Sequence, residues 1–213
     1  MSDKKNKGQI LKPFGPSIAK LSIPKKIIDD LNIYIDQVVD DKKRSEELDH
    51  GKNLVGNVKQ EFRIENDFAK KIGWIDFLAS GCKGWVENTS GEKMNEFKLL
   101  NTWVVRQFSG EYNPMHYHKG HISGVGYLKV PNNLGKTFQK HKKDNTNGML
   151  SLVHGSRMFL SKSIFNIEPK VGDFYFFPNY LMHCVYPFYS DNDGDERRSI
   201  SFNAKVDDNI YHI

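Results

Sequence analysis

His116 and His118 lie two residues apart, and of all the spacings in this sequence theirs most directly indicates metal binding. If the segment MHYH is an extended strand, both imidazole rings leave the same face of it and can approach one ion. Neutral imidazole nitrogens are ligands for divalent iron, zinc or copper, but two of them hold such an ion poorly. His183, which follows the apolar strand DFYFFP and a turn at Asn179, is the leading candidate for a third ligand. Alternatively, His116 and His118 are solvated loop residues and His183 fills a core position.

A second polar pattern occupies the segment RRSISFNAKV near the end of the chain. Strand alternation places its apolar side chains on one face and its polar side chains on the other, the polar set being Arg197, Ser199, Ser201 and Asn203. Beside His183, such a face predicts a polar pocket in which Arg197 pairs with a carboxylate and Ser199 adds a hydroxyl. Alternatively, an exposed arginine pairs here with Asp193 or Glu196. Arg198, which faces the opposite way, is the better candidate for that surface role.

The elements that must position these residues begin with two predicted helices. Apolar residues recur at helical spacing over about 24–47, with Ser22 as a possible N-cap and Pro24 in the first turn. A second helical pattern covers about 66–87, although Gly73 and Gly81 weaken it. After Gly91 the apolar residues change to the alternating spacing of strands.

The second half of the chain predicts about seven short strands, at 97–108, 115–118, 123–130, 148–154, 173–178, 183–188 and 197–206. Clusters of Gly, Pro, Asn and Asp separate them, and no helical pattern lies between them. This arrangement favours an antiparallel sandwich or barrel over a parallel α/β sheet.

In order and spacing, these residues resemble the signature of Fe(II)- and 2-oxoglutarate-dependent oxygenases: H-x-(D/E), a distal histidine, then Arg-x-Ser. The segments NPMHYHKGHISGVGYLKVP, GMLSLV, VGDFYFFPNYLMHCVYP and ERRSISFNAKV are similar to a branch whose motif is H-x-H followed by SGVYYL. The resemblance covers about 97–206. It implies a mainly β fold with flanking α-helices, the double-stranded β-helix (jelly roll, cupin-like). The expected organisation is a flexible arm over 1–16 and one oxygenase domain over 17–213, with helical support at 24–90 and the jelly-roll core at 95–206.

The resemblance also implies roles for single residues. The iron ligands would be His116, His118 and His183, with His118 standing where the family usually has a carboxylate. The distal carboxylate of 2-oxoglutarate would be bound by Arg197 and Ser199, and Tyr127 is either a further hydroxyl contact to it or a core tyrosine. The implied reaction consumes O2 and couples decarboxylation of 2-oxoglutarate to hydroxylation of a substrate C–H bond. Four aromatic residues are expected in the apolar wall of the pocket: Phe174, Tyr175, Phe176 and Tyr186.

His118 departs from the common pattern, because an imidazole in place of a carboxylate leaves the site more positive. An all-nitrogen site also suits zinc and copper. A three-histidine cupin-type metalloenzyme that does not use 2-oxoglutarate is therefore an alternative, and a non-catalytic jelly-roll binding protein is another. In a further alternative, His118 turns away and either His121 or a water completes the metal shell.

Composition restricts the partners. The chain has 213 residues, with 31 Lys and Arg against 26 Asp and Glu, and these charges alternate in sign, which disfavours nucleic acid as a partner. No apolar run approaches the roughly 20 residues that span a bilayer, and the start MSDKKNKGQ is polar, so we expect no membrane anchor, no secretory signal and a cytoplasmic location. The expected partner is a small-molecule or amino-acid side-chain substrate. Four lysines in the 131–147 segment favour an anionic one: Lys136, Lys140, Lys142 and Lys143.

Overall fold

Two antiparallel sheets form the framework of the chain in a computed structural model, which describes residues 15–139 and 141–212. The ten strands are β1 (Ala19–Ser22), β2 (Gln60–Arg63), β3 (Phe97–Gln107), β4 (Asn113–His116), β5 (Ile122–Lys129), β6 (Leu150–Val153), β7 (Ile164–Ile167), β8 (Asp173–Pro178), β9 (Met182–Val185) and β10 (Arg197–Val206). The helices are α1 (Lys25–Asp40), α2 (Lys42–Leu48), α3 (Asn66–Lys71), α4 (Trp74–Ser90) and α5 (Asp208–Tyr211), with a 3-10 turn at Gly51–Asn53. Most of the arm expected over 1–16 lies outside the described residues.

The strands divide into a six-stranded sheet in the order β1-β8-β5-β10-β3-β2 and a four-stranded sheet in the order β4-β9-β6-β7. Every neighbouring pair is antiparallel, so the predicted mainly β architecture with flanking helices is confirmed. Three of the ten strands, β1, β2 and β7, were not predicted. Each of them has four residues. β1 and β2 join the six-stranded sheet although they precede residue 95, where the β core was expected to begin.

Two hydrophobic cores lie on opposite faces of the six-stranded sheet. The outer core packs α1 and α4 against the sheet through side chains such as Leu31, Trp74, Phe174 and Phe202. The inner core includes Leu150, Phe177 and Val185, and lies between the two sheets. The helices therefore cover the back of the sheet, and its other face is left to build a site.

Both predicted helices are broken in two. The first ends at Asp40, and Asp41 caps the start of α2: its side-chain Oδ1 accepts a hydrogen bond of 3.1 Å from the backbone N–H of Arg44. The second is divided at Gly73, whose φ of 79° lies in the left-handed region that glycine adopts readily. Ser22 is the last residue of β1 and does not cap the helix; Pro24 precedes its first turn. None of the helices in the described part of the chain combines the length and apolar character needed to cross a membrane.

Candidate metal centre

Two adjacent strands of the four-stranded sheet bring the three predicted histidines together. His116 ends β4 and lies directly opposite His183 on β9. His118 follows two residues later, and its backbone is held in both directions by Asn179. The backbone N–H of His118 donates to the carbonyl oxygen of Asn179 at 3.0 Å, and the Asn179 side-chain Nδ2 donates back to the His118 carbonyl at 3.2 Å.

The ring nitrogens of these histidines converge on one point. Their candidate ligand atoms all lie within 4.8 Å of one another, and the His118 and His183 Nε2 atoms are 3.1 Å apart. Nδ1 of His116 donates to the carbonyl of Pro114 at 2.7 Å, and Nδ1 of His183 donates to that of Leu181 at 2.8 Å. Because those nitrogens carry the protons, the Nε2 atoms of His116 and His183 each present a lone pair to the cluster. Such a donor set fits one divalent transition-metal ion.

Burial keeps the cluster in its neutral, metal-binding form. Burial and the neighbouring His183 and His116 lower the pKa of His118 to about 3. Burial lowers the pKa of His183 to about 4, with a smaller effect of His116, and burial also lowers that of His116 itself. Near neutral pH no proton needs to be displaced from these rings for a metal to bind.

A buried arginine faces the interior from the start of β10. Arg197 is 1% exposed, and its Nη1 donates to the side-chain oxygen of Gln107 at 2.8 Å. Its Nε and Nη2 atoms have no hydrogen-bond partner among the described residues, and no acidic side chain of that part of the chain forms an ion pair with it. Burying a guanidinium in this state is costly unless a ligand completes it. Two free N–H groups on one fork fit a carboxylate.

Tyr127 and Gln107 surround that guanidinium. The Arg197 Cζ atom lies 4.9 Å from the centroid of the Tyr127 ring, and the buried Tyr127 hydroxyl also lacks a partner among the described residues. Burial raises the pKa of Tyr127, so its hydroxyl keeps its proton. The Gln107 amide nitrogen donates to the backbone carbonyls of Glu111 and Tyr186, which turns its oxygen toward Arg197. This arrangement fits an anion with several oxygen atoms.

The histidines and the arginine line one cavity of about 100 Å³ between the sheets. Ser199 and Ser201 line it beside Arg197, as the predicted polar face of β10 requires, while Ile200 and Phe202 lie in the outer core. Its further wall includes Trp103, Phe177, Asn113 and Glu61.

Several expected residues lie elsewhere. Phe174 and Phe176 pack in the outer core, because alternation on β8 turns Tyr175 and Phe177 inward, and only Phe177 lines the cavity. Tyr186 does not line it either.

His121 is also outside the cluster, since its Nδ1 bonds to the backbone of Val206 and its ring stacks on Tyr211 at 4.2 Å. The surface role expected for Arg198 is wrong: it pairs with Glu196, as predicted, but is fully buried.

Sequence reasoning missed Gln107, Trp103 and Glu61. Gln107 carried a weak signal, being a polar residue two positions after the apolar run WVV, on the same face of the predicted strand as Val105. Glu61 carried no such sequence signal, because the strand that holds it, β2, was not predicted.

Comparison with family models finds one family over residues 101–203, described as "Putative 2OG-Fe(II) oxygenase". The matched segment contains His116, His118, His183 and Arg197. Comparison with curated proteins finds no match.

Solved structures of oxygenases share the fold. A prolyl-4-hydroxylase from Pseudomonas putida aligns with a TM-score of 0.54 at 16% identity, covering 87% of this chain and 91% of that one. A viral collagen prolyl hydroxylase from Paramecium Bursaria Chlorella virus-1 aligns with a TM-score of 0.53 at 15% identity, covering 88% and 94%. AviO1 from Streptomyces viridochromogenes aligns with a TM-score of 0.56 at 13% identity, covering 89% of each chain. At these identities the likeness shows the fold, which is the double-stranded β-helix.

The matched family uses Fe(II), 2-oxoglutarate and O2, and the cavity holds a cluster of three histidines suited to a metal and a buried arginine suited to a carboxylate. Residues 101–203 therefore match the 2OG-Fe(II) oxygenase family, and this match indicates an enzyme, a 2-oxoglutarate-dependent oxygenase.

Proposed function

We propose that the protein is a hydroxylase that couples decarboxylation of 2-oxoglutarate to hydroxylation of a C–H bond in a small molecule or an amino-acid side chain. The metal ligands are His116, His118 and His183, and the cosubstrate is bound by Arg197, Ser199 and Tyr127. One observation carries this proposal: a buried guanidinium with two free N–H groups lines the same cavity as three neutral imidazoles.

Each end of the cosubstrate has a matching group. Arg197 binds the distal carboxylate through its free Nε and Nη2 atoms, and the protonated Tyr127 hydroxyl donates to the same group. Gln107 keeps the guanidinium fork oriented while the site fills. Fe(II) held by the three histidines, together with the keto acid and O2, would supply the oxidising chemistry. The aromatic walls formed by Trp103 and Phe177 exclude bulk water from the reacting substrate carbon.

Anaerobic titration with Fe(II), followed by 2-oxoglutarate, tests this assignment. A visible charge-transfer band between the metal and the keto acid is expected in the wild-type protein and is expected to be lost in His183→Ala. Arg197→Ala should need about 100-fold more 2-oxoglutarate, because a pair of charge-assisted hydrogen bonds is removed. Arg197→Lys keeps the charge but loses the two-pronged hydrogen bonding, so its 2-oxoglutarate requirement should lie between those of the wild type and Arg197→Ala. Arg157→Ala removes an exposed arginine outside the cavity and serves as the matched control.

The other outcomes have clear meanings. Iron bound stoichiometrically without the band, with an unaffected Arg197→Ala variant, would favour a three-histidine cupin-type enzyme that does not use 2-oxoglutarate. A protein that binds no metal would be a non-catalytic binding protein on an inherited scaffold.

A further inference from the structure

Glu61 is a carboxylate inside the cavity that the chemistry above does not use. It lies on β2, the edge strand of the six-stranded sheet, opposite Val105 of β3. Its neighbours in that register, Phe62 and Val104, both belong to the outer core. Alternation therefore turns Glu61 inward, where it is 3% exposed and lines the same cavity as the histidines.

No cation of the described chain compensates this carboxylate. Its Oε1 atom is buried without a hydrogen-bond partner, and none of the ion pairs among the described residues includes Glu61. Burial, followed by the negative charges of Asp49 and Glu111, raises the pKa of Glu61 to about 7. An unpaired acid that deep in a protein is costly to keep, and functional sites are where such groups are found.

The chain between the 3-10 turn and β2 closes tightly over this group. A Cβ atom added at Gly56 would lie 2.9 Å from Oε1 of Glu61 and 3.0 Å from the side-chain oxygen of Asn113. One added at Gly51 would lie 3.6 Å from Oε2. Glycine therefore allows the backbone to approach the carboxylate, and Asn113, which also lines the cavity, offers a second acceptor oxygen beside it.

Positive and negative groups are separated within the cavity. Along one row of the sheet, Glu61 lies opposite Val105, and Val105 lies opposite Ser199. Two strand spacings separate Glu61 from Ser199, about 10 Å. The cosubstrate clamp and Glu61 thus occupy different ends, with the imidazole cluster lining the same space.

We infer that the substrate carries a cationic group, an ammonium or guanidinium, which binds Glu61 and Asn113 while the carbon to be oxidised lies over the metal. This inference rests on the proposed function and names the substrate class of that site. It reverses the expectation of an anionic substrate that the loop lysines suggested. Glu61 is then a specificity-determining residue, because a neutral or anionic analogue leaves its carboxylate unpaired.

Three small probes of similar shape test the inference: propylammonium, 1-propanol and propionate. The protein is loaded with Zn(II) and 2-oxoglutarate, which keeps the site diamagnetic and occupies Arg197. The readout is the indole N–H signal of Trp103, which lines the cavity, assigned among the three tryptophans by a Trp103→Phe variant. Propylammonium should bind at least about tenfold more tightly than 1-propanol, and propionate should not bind.

Glu61→Gln should abolish the preference for the cation while leaving 1-propanol unchanged. Glu111→Gln is the matched control, because it removes a buried negative charge that does not line the cavity, and it should keep most of the preference. Gly56→Ala offers a second route, since its methyl group would press on Glu61 and Asn113, and it should also weaken cation binding.

Equal binding of the cation and the alcohol by the wild type, or a preference that survives Glu61→Gln, would overturn the inference. The charge-transfer band of the Fe(II) protein is recorded on the same variants. A band without cation preference refutes the role of Glu61 alone, whereas no band in the wild type refutes the proposed function itself.

Discussion

Protonation of single side chains decides what the cavity can bind. Three imidazoles this close together would repel one another strongly if charged, and burial lowers the pKa of each. Burial also lowers the pKa of Arg197, but the guanidinium stays charged because its intrinsic pKa is so high. The cavity therefore offers neutral metal ligands beside a permanent cation, which is the combination that a metal-bound dicarboxylate requires.

His118 is the residue at which a carboxylate would be expected, and its variants test its role. His118→Ala should weaken Fe(II) binding at least about tenfold, because one of three ligands is lost. His118→Asp should retain Fe(II), since an anionic oxygen ligand compensates part of the metal charge. Affinity is measured by competition with a chromogenic chelator.

His154→Ala, which removes an exposed histidine, is the control and should leave the Fe(II) affinity unchanged. Wild-type affinity in His118→Ala would show that His118 is not a ligand.

Glu61 should also be visible in the pH dependence of stability. Its folded pKa of about 7 is above the ordinary value of 4.5, so ionisation of this side chain opposes folding. The cost is absent below pH 4.5 and grows as pH rises to about 7. Glu61→Gln should therefore raise the free energy of unfolding by up to about 3 kcal/mol at pH 8 and by little at pH 4. Urea unfolding at the two pH values measures this, and a gain of equal size at both would contradict the assignment.

Among the secondary-structure elements, β10 contributes side chains both to the cavity and to the outer core. β10 carries Arg197 and Ser199 into the cavity and Ile200 and Phe202 into the outer core. The helices matter to the site because they cover that outer face and fix the strand that holds Arg197. How closely α4 can approach the sheet depends on one glycine.

Alanine substitutions at two glycines of α4 are expected to have opposite effects on stability. A Cβ at Gly81 would lie 2.7 Å from Phe176, a fully buried ring, whereas nothing lies within 4 Å of one at Gly84. Gly81→Ala should destabilise the fold by about 1–3 kcal/mol through overpacking. Gly84→Ala should stabilise it by about 0.5–1 kcal/mol, because alanine is the better helix former. Thermal and urea unfolding compare the two, and equal effects of both substitutions would show that α4 does not pack as described.

Across the whole molecule, a charge network around the buried Arg198 ties α1 to the sheet. Arg198 donates to Glu196 through Nε at 2.6 Å and to Asp36 of α1 through Nη2 at 2.6 Å. Arg106 of β3 donates to the same glutamate through its Nε at 2.8 Å. Burial alone would raise the pKa of Glu196, but hydrogen bonds from the two arginines outweigh it and lower the pKa to about 2. This network lies next to Arg197 in sequence and supports the strand from which it projects.

Glu196→Gln should lower the free energy of unfolding by about 3 kcal/mol at pH 7, because the buried Arg198 and the partly buried Arg106 lose their shared anion. The folded pKa is below the ordinary 4.5, so this contribution is present above pH 4.5 and is lost as pH falls toward 2. The difference between variant and wild type should shrink over that range in urea unfolding. Glu92→Gln, an exposed control, should change little at any pH. A deficit that does not change with pH would mean that the network is held by something other than this charge.

Local spacing of residues was enough to predict the main features of the site and of the fold. Spacing of His116 and His118, the placement of His183 and the alternation around Arg197 are local features, so their consequences could be read from neighbouring residues. The strands that carry them were predicted within a few residues for the same reason. The helix breaks at Asp41 and Gly73 were not predicted, because the apolar stripe continues across both positions while the helical backbone conformation is interrupted.

The pairing of charges depends on long-range contacts and could not be predicted from the sequence. Arg198 was expected at the surface, but its partner Asn32 lies 166 residues away in sequence, and no local pattern reports such a contact. Arg197 and Glu61 lie on strands far apart in the chain, and both have buried polar atoms without partners in the described residues. Whether a buried charge is compensated depends on everything packed around it, which is why the sequence indicated the cosubstrate clamp but not the acidic end of the cavity.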